Sequence, residues 1–204
     1  MKQQMIQRWG KRAFDVIFSI GALLAWSPIL IGIAILIKFT SPGPIIFKQL
    51  RIGRNMRPFY IYKFRTMISD AGQIQKSLMK TNEAIGPVFK MKNDPRVTQL
   101  GKFLRKTSLD EFPQFVNVLI GNMSIVGPRP PLPNEVNCYK TWQRKRLTVK
   151  PGITCLWQVT HKKNDMSFDE WAKLDLKYID EHSFKLDLYI TFLTIKAMLY
   201  GHNS

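Results

Sequence analysis

Residues 16–37 read VIFSIGALLAWSPILIGIAILI, twenty-two positions without a charge and long enough to cross a bilayer as one helix. A secretory signal is the first rival. Ala25 and Ser27 give a small-x-small pattern, but Pro28 would follow the cut and the apolar run continues past it, so that reading is rejected. A straight span is the second rival, and Ser27-Pro28 sits at its centre. Proline removes a helical N–H, and its ring collides with the carbonyl four residues back, that of Leu24. Kinked spans are tolerated in membranes, so the flanking charge has to decide. Lys2, Arg8, Lys11 and Arg12 precede the stretch, and Lys38, Lys48, Arg51, Arg54 and Arg57 follow it. A single span should be lopsided in positive charge, and this one is not. The pattern favours a helix broken at Ser27-Pro28 that enters and leaves the same leaflet. Each half, ~11 residues and ~17 Å, reaches about half the hydrocarbon thickness.

The charge extends beyond these flanks. The 204 residues carry 31 Lys+Arg against 14 Asp+Glu, a formal +17, and residues 1–66 hold a single acid, Asp15. Such an excess predicts an anionic partner: nucleic acid, phosphorylated small molecules or an acidic lipid surface. A hydrophobic fraction of 45% excludes disorder. Cys138 and Cys155 form no metal-type spacing and fit reduced cytoplasmic thiols. The lone histidines His161, His182 and His202 read as surface residues.

The rest of the chain reads as one mainly helical α+β domain, with residues 1–40 as the membrane helix and basic flank and 41–204 as one integrated region. Ser41-Pro42-Gly43-Pro44 is a linker. Residues 45–49 and 59–63 look like a β-hairpin around Gly53 and Pro58. Residues 68–82 read as a polar helix or a mobile stretch, and 97–106 as a short basic helix. Phe112, Phe115, Val116 and Leu119 recur at helical spacing before Gly121-Asn122. Residues 127–131 are rigid and non-helical, Pro151-Gly152 opens a turn, 168–182 is an amphipathic helix, and 186–200 is apolar.

The chemistry concentrates in Arg105-Lys106-Thr107-Ser108-Leu109-Asp110-Glu111-Phe112-Pro113. Ser108-x-x-Glu111 fits a capping box, which would account for the carboxylates without function. The functional alternative uses the same place. A helix start suits phosphate, one carboxylate can attack phosphorus, and a second can hold Mg2+. Basic groups at Lys63, Arg65, Arg96, Arg105 and Arg129 could complete a diphosphate site, Arg129 being fixed between two prolines.

At this point the chain resembles the monotopic phosphoglycosyl transferases, or bacterial sugar transferases, in a catalytic-core-only form. The likeness runs from about Lys11 to Leu199. It rests on ordered blocks: Lys11-Arg12-Ala13-Phe14-Asp15, Ser27-Pro28, Lys63-Phe64-Arg65-Thr66-Met67, Asp94-Pro95-Arg96-Val97-Thr98, Ser108-Leu109-Asp110-Glu111 and Gly127-Pro128-Arg129-Pro130. It continues through Lys150-Pro151-Gly152-Ile153-Thr154, Trp157-Gln158-Val159, Leu174-Asp175 and Leu186-Asp187-Leu188.

The resemblance implies that Asp110 is the nucleophile of an aspartyl phosphosugar route from a UDP-sugar to polyprenol phosphate, with UMP released. Glu111 would bind Mg2+. Arg105 and Arg129 would contact phosphate or nucleotide, with Lys63 and Arg65 close by, and Asp175 and Asp187 match supporting acids. Ser27-Pro28 matches the break of the family's re-entrant helix. The implied setting is the cytoplasmic face of a bacterial inner membrane, with membrane lipid as a partner, no nucleic acid, and a homodimer left open. The chain departs from the family at Thr160-His161-Lys162-Lys163-Asn164, where a Gly-Arg pair is common. Residues 86–90 look like the branch that serves exopolysaccharide or O-antigen carriers. The rival function is a non-catalytic basic membrane adaptor, which explains the charge but not the carboxylate pair.

Overall fold

The computed structural model describes residues 2–78, 82–83, 86–89, 91, 93–160 and 166–200. Helix α1 (Lys2–Thr40) is followed by the hairpin of β1 (Ile46–Ile52) and β2 (Pro58–Phe64). Then come α2 (Ala71–Leu78), α3 (Gln99–Lys106), a 3-10 turn (Leu109–Glu111), α4 (Gln114–Leu119) and β3 (Ser124–Val126). Next are α5 (Pro133–Asn137), a 3-10 stretch (Thr141–Thr148), β4 (Gly152–Thr154), a 3-10 turn (Trp157–Val159), α6 (Phe168–Asp180) and α7 (Phe184–Tyr200). The expected hairpin is present and longer than the alternation indicates, pairing antiparallel from Ile46 with Phe64 to Ile52 with Pro58. Proline is tolerated at such a strand end.

Where two half-helices are expected, helical conformation continues through Pro28 as one element. The Ser27 hydroxyl donates to the Leu24 carbonyl at 2.8 Å, taking up the acceptor that Pro28 leaves without an N–H. Trp9–Thr40 is long and apolar enough to cross a membrane. Its two faces differ. Asp15, Ser19, Ile33 and Ile37 are buried, and Phe14, Phe18, Leu23, Leu30 and Ala34 pack on the same core, all on one side of the helix by its 3.6-residue period. Ile17, Ile20, Leu24, Ile31, Ile35 and Phe39 stay exposed on the other side.

Both ends of α1 are fastened to the domain. Lys11 reaches Asp187 at 2.7 Å. Arg12 donates to the carbonyls of Val118 and Leu119 at 2.6 and 2.8 Å, capping the C-terminus of α4. At the far end Arg65 donates to the Ser41 carbonyl at 2.7 Å and to Ile37 at 3.4 Å. The main core joins Ile33 and Ile37 of α1 to Phe64, Leu104, Phe115, Val118, Met123, Val126 and Ile190. Each fully buried aliphatic side chain of this kind contributes roughly 1.5–3 kcal/mol.

Pro151-Gly152, expected as a turn, instead opens a strand. β3 and β4 pair in parallel, Ser124 with Gly152 and Val126 with Thr154. A Cβ at Gly152 would stand 2.1 Å from the Gly127 nitrogen, so only glycine lets the two backbones approach this closely. α6 begins with a capping box, in which the Glu170 carboxylate accepts from the Ser167 N–H at 2.7 Å. Residues 161–165, which hold most of the departure from the family, lie outside the described residues.

Candidate active site

α3 brings the first part of the site into place. A Cβ at Gly101 would meet the Thr66 carbonyl at 2.1 Å, so glycine allows α3 to lie directly on the chain leaving β2. Thr98 caps the helix by accepting from the Gly101 N–H at 3.0 Å. This seating lets Arg105 Nε donate to Thr66 Oγ1 at 3.0 Å.

The chain then reverses at Ser108, whose φ of 56° lies in the left-handed region that a non-glycine residue rarely adopts. The 3-10 turn that follows buries Leu109 and Asp110. The expected capping box is absent. Ser108 makes no side-chain cap bond, because the left-handed backbone turns it away from the helix-start geometry, and Glu111 bonds the Lys63 ammonium instead. This is a correction to the capping explanation of the carboxylate pair.

Asp110 and Glu111 are adjacent in sequence but electrostatically different. Burial pushes the Asp110 carboxyl up to about 6, against the pull of Lys63 and Arg105 and with Glu111 adding to the rise. Burial also acts upward on Glu111, but Lys63, Gln114 and Arg129 together hold it below its ordinary value. Among the described residues Asp110 takes part in no ion pair, whereas Glu111 is paired with Lys63. The result is one committed carboxylate and one that is charged at neutral pH yet unpaired.

A cleft opens beside this turn, lined by Arg51, Lys63, Glu111, Gln114, Arg129 and Gln158 among others. Of the residues expected in the site, Lys63, Glu111 and Arg129 therefore meet there. Arg105 lies within electrostatic reach of Asp110 and Glu111. Arg65 and Arg96 are not brought in. Arg65 is buried against the end of α1, and Arg96 grips Asp94 through two bonds of 2.8 and 2.6 Å. Asp175 and Asp187 lie elsewhere too. Asp175 is fully buried and accepts from Arg146 Nε at 2.7 Å. Asp187 gathers Lys11, Tyr178 (2.6 Å) and His182 (3.3 Å), so His182 is a partner of a buried acid and not a free surface residue.

A family model described as bacterial sugar transferase matches residues 6–201. The chain belongs to the bacterial sugar transferase family. It is 48% identical over 191 residues to the galactosyl transferase CpsE of Streptococcus agalactiae serotype III, covering 94% of this chain and 42% of that protein. It is 38% identical over 198 residues to the exopolysaccharide production protein ExoY of Rhizobium meliloti, covering 95% of this chain and 87% of that one. It is 40% identical over 197 residues to the undecaprenyl-phosphate galactose phosphotransferase of Salmonella typhimurium, at 94% and 41%. The chain thus spans about two-fifths of the first and third of these relatives.

Two groups in this sugar transferase escape a reading of the sequence. Arg51 is counted there only as flanking charge, yet it is buried at the cleft and donates to the Pro130 carbonyl at 2.9 Å. Burial and then the nearby Arg129 lower its guanidinium to about 10. Glu135 is the second: it is buried, and its Oε2 lies 3.2 Å from Arg129 Nη1. Burial along β1 does not alternate, Arg51 and its neighbour Ile52 both being buried, so the strand pattern carries no pointer to Arg51. Glu135 carries no local signal, since a glutamate in the first turn of a helix is ordinary.

Proposed function

We propose that this bacterial sugar transferase is a phosphoglycosyl transferase, moving a sugar 1-phosphate from a UDP-sugar to polyprenol phosphate on the cytoplasmic face of the inner membrane. The observation that carries the reading is the unpaired, buried Asp110 next in the chain to Glu111, which is bound to Lys63 and lines a cleft together with Arg51 and Arg129. An Asp110 oxygen attacks the sugar-bearing phosphorus, and the bond to UMP breaks with its electrons leaving on UMP. The phosphate oxygen of polyprenol phosphate then attacks the same phosphorus, giving polyprenol diphosphate sugar and restoring the carboxylate. Lys63, Arg105 and Arg129 offset the charge of the diphosphate and hold it in line. Two of the relatives are named for galactose, which supports a hexose 1-phosphate as the group transferred.

Among the described residues no group of three or more His, Cys, Asp or Glu converges. The adjacent carboxylates Asp110 and Glu111 fit Mg2+, which takes one or two carboxylates when substrate phosphates and water fill its shell. Glu111 would hold it, and the ion would neutralise charge on the diphosphate.

The membrane seating is supported by α1. Its two ends are fixed to one polar domain, through Lys11 and Arg65, while its outward face is apolar between them. Because helical conformation continues through Pro28, entry and return through one leaflet would need α1 to bend at Ser27-Pro28; the two anchored ends support that reading, which would set the cleft near the level where a polyprenol phosphate presents its charge. The test is a panel of UDP-sugars incubated with detergent-solubilised protein and undecaprenyl phosphate. UMP release together with a lipid-linked product is expected for a UDP-hexose. No UMP from any member of the panel would refute the reading.

A further inference from the structure

Lys150 lies immediately before β4, half-buried, and its ammonium makes neither a hydrogen bond nor an ion pair among the described residues. A methyl group at Gly121 would stand 3.8 Å from both Lys150 Nζ and Arg12 Nη2, so the two cations face one small space at the end of α4. Burial first, and then Arg12, with Arg54 and Lys11 adding and Asp15 opposing, lower the Lys150 ammonium from its ordinary value. The nearest acid is already engaged, since Asp15 Oδ1 accepts from Ser124 Oγ and the Ile125 N–H, both at 3.0 Å.

A helix C-terminus attracts a cation, which would be the plain explanation for Lys150. That role is filled by Arg12, which already binds the Val118 and Leu119 carbonyls. Arg12 has five N–H groups and uses two of them there, leaving donors beside Lys150. The surroundings are apolar and open. Val116 on α4 and Ile120 just past its end are 39% and 58% exposed. On α1, which packs against α4 through Phe18 and Phe115, Ile17 and Ile20 are exposed as well, and Trp9 is 73% exposed one turn before Arg12. Uncompensated cations bordering an apolar face, with an exposed tryptophan alongside, match the depth at which lipid phosphate meets acyl chain. None of these residues lines the cleft.

We propose that Arg12 and Lys150 bind the phosphodiester headgroup of an acidic phospholipid whose acyl chains cover Val116 and Ile120. The proposal rests on the membrane seating of α1 described above. The full chain is purified in detergent with phosphatidylglycerol added, and retained lipid is counted by native mass spectrometry. Vesicles of phosphatidylcholine alone report membrane seating separately. Retained phosphatidylglycerol should fall about fivefold in Lys150→Gln, persist in Lys150→Arg, and be unaffected by Lys173→Gln, with an unchanged thermal midpoint in each. Millimolar inorganic phosphate should not displace it. Equal retention by Lys150→Gln and the unaltered protein would overturn the proposal while leaving the seating intact. Complete displacement by inorganic phosphate would overturn it in favour of a soluble anion. Failure of the unaltered protein to bind any vesicle would overturn seating and lipid site together.

Discussion

Glu135 Oε2 stands 3.2 Å from Arg129 Nη1 and also accepts from the Leu132 N–H at 3.0 Å, so one buried carboxylate fixes both an arginine of the cleft and the start of α5. The arginine is aimed from behind. Glu135→Gln removes the charge but keeps the shape, and is expected to raise KM for the UDP-sugar about tenfold with a smaller effect on kcat. Arg129→Lys keeps the charge and loses the planar fork, and should lower kcat/KM by roughly tenfold or more. Steady-state kinetics of the two variants check both; an unaltered KM in Glu135→Gln would show that Arg129 does not depend on it.

Asp110→Asn should lower turnover by about three powers of ten or more, with no phosphosugar adduct trapped on the protein. The same change should not destabilise the fold. Burial raises the Asp110 carboxyl to about 6, which means that the folded state penalises its ionised form. A neutral amide lifts that penalty, by at most about 3 kcal/mol at neutral pH. Activity and thermal midpoint measured on one preparation separate the effects. A variant that stays active would exclude the covalent route.

Activity should depend on pH through the same group. The attacking form is the ionised one, so kcat/KM is expected to hold between pH 7 and 8 and to fall about tenfold per unit below about 6. Glu111, held below its usual range, stays charged across that window. The stability linkage runs the other way. Asp110 and Asp175 both have folded values raised to about 6, so their contribution to stability is complete in acid and lost as pH rises through about 6. The acid loss of rate should therefore reverse on return to pH 7.5, and a profile flat to pH 5 would contradict the assignment.

EDTA should abolish turnover and Mg2+ should restore it. Glu111→Gln should raise the Mg2+ concentration needed for half-maximal rate and lower the rate at saturation. Titration of the rate with Mg2+ in both proteins checks this, and full activity in EDTA would remove the metal from the scheme.

Cysteines introduced singly at Gln3 and Lys48 should both react with an impermeant reagent from the cytoplasmic side. Cys138 is exposed and has to be removed first, whereas Cys155 is buried with its thiol pushed up by burial and should stay silent. Reaction of the Gln3 position from the opposite side would leave α1 as a single span.

The sequence is most legible where a pattern repeats or a residue has few options. The alternation in 45–63 reveals the hairpin, helical spacing reveals α4 and α6, and the uncharged run reveals α1. Pro151-Gly152 misleads because its meaning depends on Gly127, twenty-five positions away in the chain and in backbone contact in the fold. Ser108-x-x-Glu111 misleads for a related reason. A local rule assigns Glu111 to its own helix start, and a lysine from β2 outcompetes it. Arg65 and Arg96 show the limit of counting cations: their partners, the Ser41 carbonyl and Asp94, are visible only once the chain has folded.

The inward face of α1 belongs to the same core as β2, α4 and α7, and Arg12 closes a helix that is otherwise remote in sequence. Deleting residues 1–40 would not liberate a soluble catalytic fragment. It would uncover the side of the core that Ile33 and Ile37 fill and leave Asp187 without its lysine. Nor is α1 an exchangeable tether, because an unrelated hydrophobic helix would lack the buried Asp15 that registers it on β3. For this protein, losing α1 and losing the native core are one event, so the apolar helix is a structural member of the domain and not an appendage to it.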